Sequence, residues 1–320
     1  MRKILIILLT ILQNAYLAYS QKAADIFKDA ELVGEGVISS KDFEFNFTLT
    51  EEGDLAFFSK AVLPDWRHMS IVYAEKKNGK WSEPQLAPYS GRYRDADPFI
   101  APDQSKLIYI SNRPSKYQKK PSDFSLWYVL PPFEKTKEPR LLEGDFYEVG
   151  IPTYPSFSLN GNLYFSSKGH IYFVKNEDGK YGKARKLFAN RSKPTDGNPV
   201  VAPDESFIIF TSRSREGGYG QADLFVSFNN NGKWSEAVNL GPKINSYGRD
   251  SDPGLSTDGK TLYFTSMRMV GQWDFSPRSR QVTNEEFEKE LAEGLNNLNN
   301  GLPNIWAINI ENIQALNPGF

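Results

Sequence analysis

The sequence predicts an all-β protein, a β-propeller of four-stranded antiparallel blades, because three of its features occur together. One phrase recurs five times along the chain, and each copy holds short strands rich in aromatic and β-branched residues. Asn-Gly or Asp-Gly dipeptides recur between strands, where tight hairpin turns need them. Five blades are therefore expected, with six as the alternative and one short helix inserted in the last blade.

The five copies set the size of a blade. Their equivalent positions are 44 to 57 residues apart and fall at Asn46, Asp97, Tyr154, Asn198 and Asp252. That interval suits four short strands, here called A to D, joined by turns.

Each strand of a copy has its own signal. In the fifth copy, strand A meets the turn 257–259, and strand B contains the aromatic run 262–265. Strand C is clearest at 126–129 in the second copy. Asn78-Gly79 and Asn231-Gly232 then lead into strand D, since both dipeptides tolerate the positive φ of a tight hairpin turn.

These repeats resemble the TolB-type, WD-like propeller repeat of exported bacterial proteins. The motif is most complete where an aromatic strand B ends in Ser-Asn-Arg at 111–113, Thr-Ser-Arg at 211–213 and Ser-Met-Arg at 266–268. The resemblance covers roughly residues 40–312. It implies a binding or scaffolding propeller more often than an enzyme, and it implies six blades, whereas the sequence shows five copies.

The two ends of the chain and one insertion complete the domain organisation. Residues 1–20 have the charged start, short apolar run and small-residue end of a signal peptide, so export to the periplasm, cell surface or medium is expected. Residues 21–40 form an N-terminal segment that could supply a ring-closing strand, and 41–320 form the propeller. Inside it, the insertion 269–303 carries a capping-box pattern, Thr283 to Glu286. The helix it begins would continue through four apolar residues at helical spacing: Phe287, Leu291, Leu295 and Leu298.

Composition excludes several classes of function. The 38 basic residues are balanced by 39 acidic ones, so no nucleic-acid partner is expected. The apolar run at the N-terminus is too short for a full span, so no integral membrane segment is expected after signal cleavage. Cysteine is absent, which excludes disulfides and thiol catalysis, and His68 and His170 lack the spacing of a zinc site or catalytic triad.

The candidate binding site is the channel mouth on the face that carries the D–A and B–C connections. Strand A lines the channel of a propeller, so residues that start the A strands should ring this mouth. The predicted ligand-binding residues are these starts, together with two loop aromatics: Arg94, Asp95, Asp97, Tyr154, Asp196, Asn198, Tyr219, Arg249, Asp250, Asp252 and Trp273.

A structural interpretation of the repeated Asp-x-Asp-Pro motif competes with this one. An Asp ahead of a strand can accept backbone N–H bonds while Pro fixes the strand entry. Clustered oxygens would suit Ca²⁺, but Arg94 and Arg249 would partly neutralise such a cage. No cofactor is therefore predicted, and Ca²⁺ is the alternative. Arg113 with Asp123, and Arg213 with Asp223, are predicted to pair within their blades.

Two functions follow from these patterns. The first is an exported, non-catalytic propeller that binds a protein, peptide or glycan at the channel mouth. The alternative is a glycoside hydrolase of the five-bladed type, with Glu44, Asp97 and Asp252 as the channel-mouth carboxylates.

Overall fold

The five predicted blades are present in the structure. A computed structural model describes residues 26–62, 68–188, 195–268, 283–286, 288–289, 298 and 301–318. Within these residues, antiparallel sheets form a five-bladed propeller, so the six-bladed alternative is wrong. In this part of the chain no helix is long and apolar enough to cross a membrane.

Each blade runs from strand A at the channel to strand D at the outer edge. Blade 1 consists of Phe43–Leu49, Leu55–Val62, His68–Lys77 and a divided outer strand, Lys80–Trp81 with Gln85–Leu86. Blade 2 consists of Asp95–Ile100, Leu107–Ser111, Ser125–Val129 and Arg140–Leu141. Blade 3 consists of Thr153–Phe157, Leu163–Ser167, His170–Val174 and Arg185–Lys186, with a small hairpin at Asn176–Glu177 and Lys180–Tyr181. Blade 4 consists of Asp196–Val201, Phe207–Ser212, Asp223–Asn230, Lys233–Trp234 and Val238–Asn239. Blade 5 consists of Asp250–Leu255, Thr261–Ser266, Asn304–Asn309 and Glu31–Leu32.

The N-terminal segment closes the ring. Glu31–Leu32 pairs antiparallel with strand C of blade 5 and so forms its outermost strand. The Ser39 hydroxyl extends this contact, because it donates to the Ile305 carbonyl at 2.9 Å and accepts from the Ile305 N–H at 3.1 Å. Phe27 is buried in the core that blades 4 and 5 share.

The core lies between neighbouring blades. Strand B is buried along its whole length in blades 2, 3 and 4, which explains why these strands are almost continuously apolar. Large aromatic side chains fill the space between sheets and are nearly inaccessible to solvent: Phe57, Tyr109, Phe165, Phe225 and Phe264. Short 3₁₀ helices at Asp145–Val149 and Ile313–Leu316 add further apolar cover.

The insertion in blade 5 contains the predicted short helix. Residues 284–286 and 288–289 are helical. The capping box forms, since the Thr283 N–H donates to Glu286 Oε2 at 2.9 Å and the Glu286 N–H donates to Thr283 Oγ1 at 3.1 Å. Phe287, Leu291 and Leu295, which were expected on its apolar face, lie outside the described residues.

Candidate functional site

A ring of five residues narrows the central channel, one from each strand A. All five have the left-handed backbone conformation, with φ between 50° and 57°: Asn46, Asp97, Tyr154, Asn198 and Asp252. Each lies at a β-bulge, where the register of strands A and B shifts. Asn and Asp tolerate this conformation better than other non-glycine residues, which explains four of the five identities.

The bulge frees a backbone N–H that reaches the preceding blade. The Asp97 N–H donates to Ser59 Oγ at 3.1 Å, and the Asn198 N–H donates to Ser166 Oγ at 2.7 Å. Both hydroxyls lie on strand B of the blade before. The backbone N–H groups at the bulges therefore join neighbouring blades, which is a structural role.

Blade 2 departs from this pattern, and Asp97 compensates for the difference. Ile110 stands where other blades have a hydroxyl, and the Tyr154 N–H donates instead to Asp97 Oδ2 at 3.0 Å. Asp97 is 3% exposed. Burial raises the pKa of Asp97 to about 8, the Tyr154 N–H opposes this shift, and the negative charge of Asp252 adds to it. Asp97 is therefore mainly protonated at neutral pH.

Asp252, the other carboxyl of the ring, is held by its neighbours. Asn198 Nδ2 donates to Asp252 Oδ1 at 2.5 Å, and Ser251 Oγ donates to Oδ2 at 3.0 Å. Arg249 Nη2 lies 3.9 Å from Asp252 Oδ1. Tyr154 is close to both Arg249 and Asp252, and burial with the charge of Asp252 raises its hydroxyl pKa well above the ordinary value.

The ring leaves almost no open channel. The central cavity has a volume of 20 Å³ and is lined by four of the ring residues, Asn46, Asp97, Tyr154 and Asn198, together with Phe47, Phe99, Gly254 and four prolines. Roughly 10–15 Å³ is needed for one water, so this space admits a water but no sugar ring or side chain. Tyr154 lines this cavity with an aromatic side chain, whereas the equivalent residue of every other blade is Asn or Asp.

In four of the five repeats, a second acidic residue precedes the ring residue by two positions and does not line the central cavity. Glu44, Asp95, Asp196 and Asp250 are all buried, and each binds groups of the surrounding protein. Asp250 accepts from the Ser246 N–H and the Ser266 hydroxyl, and Asp95 accepts from the Ser90 hydroxyl at 3.0 Å. Burial raises the pKa of Asp95 to about 6, while hydrogen bonds from serine hydroxyls oppose the shift.

Arginines at the end of strand B support these buried acids. Arg215 forms a bidentate pair with Asp196, with contacts of 3.2 and 2.8 Å, and its guanidinium stacks on Phe210. Arg268 lies 3.5 Å from Asp250. These acids are thus bound inside the protein, and we do not assign them to a ligand.

The predicted Arg113–Asp123 and Arg213–Asp223 pairs are wrong. Arg113 donates to the Tyr89 carbonyl at 2.8 Å, while Asp123 accepts the N–H groups of Lys119 and Lys120. Asp223 likewise accepts backbone N–H groups, from Tyr219 and Gly220. The spacing of ten residues therefore reflects a loop that caps itself, because a carboxylate at the start of strand C satisfies the turn before it.

The remaining predicted residues lie around the mouth. Arg94 stacks on Phe124 at 5.1 Å, and its N–H donates to Asn112 Oδ1. Tyr219 is half-buried in the B–C loop of blade 4. Arg249 is 25% exposed beside the ring, and its Nε has no hydrogen-bond partner. Trp273 lies outside the described residues.

Tyr247 was missed by the sequence reasoning. It is 89% exposed and belongs to the connection from blade 4 to blade 5. A Cβ at Gly220 would lie 2.3 Å from the Gly248 carbonyl oxygen, so the loops that carry Tyr219 and Tyr247 are in backbone contact. The Gln221 N–H also donates to that carbonyl, at 2.9 Å. The available signal was an aromatic residue between Ser and Gly, directly before the repeated Arg-Asp.

No group of three or more acidic or histidine side chains in the described residues could hold a metal ion. The ring offers two carboxylates, Asp97 and Asp252, and one of them is mainly protonated at neutral pH. Arg249 supplies a positive charge beside them. We therefore do not propose Ca²⁺ at this ring.

The comparisons with known proteins concern the fold. No family model and no curated protein matches the chain. Among solved structures, a putative TolB from Agrobacterium tumefaciens is 15% identical, with a TM-score of 0.45 over 70% of this chain and 70% of that chain. Regucalcin, a calcium-binding protein from the same organism, is 13% identical, with a TM-score of 0.44 over 88% and 93% of the two chains. A gluconolactonase from Xanthomonas campestris is 11% identical, with a TM-score of 0.41 over 74% and 91%. The TolB-type resemblance of the repeats thus reappears among solved structures, but a likeness this distant decides nothing about function.

Proposed function

We propose that the protein is an exported, non-catalytic propeller that binds a protein or peptide on the face carrying the D–A and B–C connections. The observation that carries the proposal is Tyr247, whose ring is 89% exposed on a loop in backbone contact with its neighbour. Tyr is enriched among the residues that dominate protein interfaces, because a large ring on a rigid backbone loses little entropy on binding.

The closed channel supports binding on the surface of this face. A cavity of 20 Å³ cannot admit a substrate, so a partner would contact the loops around the mouth. The same closure argues against the hydrolase alternative, since a sugar could not reach Asp97 or Asp252. Glu44 is also unsuited to catalysis, because it is buried and bound by Ser40 and Lys60.

Export remains part of the proposal and rests on the sequence of residues 1–20. A fusion of this segment to a reporter enzyme that is active only outside the cytoplasm tests it. We expect reporter activity, and activity should disappear when charged residues interrupt the apolar run. An inactive fusion would contradict export.

The binding proposal is tested with peptides selected from a displayed random library on the full protein. We expect Tyr247→Ala to weaken the selected peptides about tenfold, equivalent to about 1.4 kcal/mol. Leu159→Ala is the matched control, since Leu159 is 61% exposed but lies in the A–B turn of blade 3, on the opposite face.

Three results would contradict the proposal. The first is that the selected peptides bind Tyr247→Ala as tightly as the wild type, the second is that Leu159→Ala weakens them equally, and the third is that selection yields no binder. In the last case a glycan array becomes the next measurement, and strong glycan binding at Tyr247 would replace the peptide with a carbohydrate.

A further inference from the structure

The rim of the proposed binding face is interrupted at blade 3. The B–C connection spans residues 112–124 in blade 2 and 213–222 in blade 4. In blade 3 it consists of Lys168 and Gly169 alone, and Ser167 pairs directly with His170. Two long loops therefore flank a position where the rim has almost none, and we call this gap the blade 3 notch.

The B–C loops of blades 2 and 4 form the two walls of the notch, and each is fixed by contacts with the residues next to it. On one side, Tyr117 of the blade 2 loop stacks on Tyr147 with ring centroids 3.8 Å apart, just ahead of strand A of blade 3. On the other side, the blade 4 loop is held by Arg215 on Asp196. The Asp196 N–H also donates to the Gly169 carbonyl at 3.1 Å, which places the tight turn beside that wall.

The floor of the notch is basic at its outer end. A Cβ at Gly150 would lie 2.8 Å from Lys168 Cε, so the exposed Lys168 side chain crosses the connection into strand A. Ile151 follows Gly150 and is 41% exposed. Three residues farther along the chain is Tyr154, beside Arg249 at the mouth. In chain order, Ile151 thus lies between Gly150, which is next to Lys168, and Tyr154, which is next to Arg249.

Charge on this part of the rim favours an acidic partner. Within the B–C connections of blades 2, 3 and 4, the exposed cations that have no ion-pair partner among the described residues are Lys119, Lys120, Lys168 and Arg213. The acids of this part of the rim without an ion-pair partner are the exposed Asp145 and Glu216 and the half-buried Asp123. Two further rim acids are already paired, Glu143 with Lys116 at 2.9 Å and Glu148 with Lys183 at 3.8 Å. The unpaired charge is therefore positive, which attracts carboxylates over a Debye length of about 10 Å.

We propose that an extended acidic segment of a partner protein reaches the mouth through the blade 3 notch. One carboxylate of the segment contacts Lys168, an apolar side chain covers Ile151, and a second carboxylate approaches Arg249. This inference rests on the proposed function, and it names the chemistry of the partner and its route.

A defined probe tests the route. A fluorescein-labelled peptide of alternating Glu and Leu, about ten residues long, spans about 33 Å when extended, and the same peptide with Lys in place of Glu tests the sign of charge. Fluorescence anisotropy on the full protein should show binding of the Glu peptide, weakened by salt, and no binding of the Lys peptide. Lys168→Glu should raise Kd about tenfold, because it replaces an attraction with a repulsion.

Lys180→Glu is the matched control, since Lys180 is also an exposed lysine of blade 3 but lies in its C–D hairpin on the opposite face. It should leave Kd unchanged, and both variants should keep the wild-type melting temperature. If Tyr247→Ala weakens the probe and Lys168→Glu does not, binding at the mouth stands and the notch route is overturned. Equal binding of the Lys peptide, or no binding of the Glu peptide, overturns the acidic partner. Binding of dextran sulfate alone overturns the peptide in favour of an anionic glycan.

Discussion

Replacing Asp97 with Asn should stabilise the protein, and the gain should depend on pH. Burial raises the pKa of this carboxyl in the folded protein to about 8, from an ordinary value of 3.8. Asn preserves the local structure, because its Oδ1 can still accept the Tyr154 N–H. Asn also suits the left-handed backbone, as Asn46 and Asn198 show at the equivalent positions.

The direction of the pH effect depends on whether Asp97 loses its proton first in the folded or in the unfolded protein. Below about pH 4 the carboxyl is protonated in both the folded and the unfolded chain, so Asp97 does not affect the pH dependence. Between about pH 4 and pH 8 only the unfolded chain ionises, and the free energy of unfolding falls by about 1.4 kcal/mol per pH unit. The deficit reaches about 4 kcal/mol at pH 7 and levels off above pH 8.

Urea unfolding of the wild type and Asp97→Asn between pH 4 and pH 9 measures this difference. We expect no change at pH 4 and a gain of about 2–4 kcal/mol at pH 7, where the lower figure allows for relaxation around the charged carboxylate. Asp258→Asn is the control of opposite sign. The Ser256 hydroxyl lowers the pKa of Asp258 below 3.8, so Asp258→Asn should reduce stability by a constant amount between pH 4 and pH 9, and that loss should disappear only at pH values below this range.

One result would refute the reasoning about Asp97. If Asp97→Asn changed stability by the same amount at pH 4 and pH 8, the carboxyl would not be protonated in the folded protein. Asp97 would then bring a negative charge to the ring, and the case against a bound cation would lose its main support.

Three further experiments test the ring closure, the loop contact and the arginine assignment. Phe27→Ala should lower the free energy of unfolding by about 3–4 kcal/mol in urea titrations, because it leaves a cavity beneath the ring-closing strand; a loss below about 1 kcal/mol would show that the N-terminal segment is dispensable. Gly220→Ala should separate the two contacting loops and weaken peptides selected on the mouth without changing the melting temperature by more than a few degrees, whereas unchanged binding would contradict the rigid display. Arg215→Lys should cost about 2–3 kcal/mol through the lost bidentate contact with Asp196, and Arg213→Lys should cost almost nothing; equal losses would restore the spacing-based pairing.

The blade count and the turns could be predicted because they depend on local chemistry that repeats. Asn78-Gly79 and Asn231-Gly232 have the positive φ that their sequences indicated. The capping box at Thr283 and Glu286 also formed, since both of its hydrogen bonds lie within one turn of chain. In each case three or four consecutive residues contain all the information needed.

The site could not be predicted to the same depth. Asp95 and Asp97 are two apart in a strand, so simple alternation places them on one face. The bulge at Asp97 breaks that alternation: Asp95 binds Ser90, while Asp97 lines the channel and accepts from Tyr154. Because Asp before Pro is equally typical of an ordinary turn, the sequence gives no separate signal for the bulge.

The residues that repeat in every blade are therefore explained by the fold and do not indicate a function. The ring residues Asn46, Asn198 and Asp252 recur because every strand A needs a left-handed residue at its bulge, and a requirement shared by all blades cannot mark a unique site. Function is better sought where one blade differs from the others. Blade 3 differs twice: it places Tyr154 in the channel and has the shortest B–C connection at Lys168. The first difference narrows the channel and the second shortens the rim, so both agree with the proposal that a ligand binds on the surface of this face.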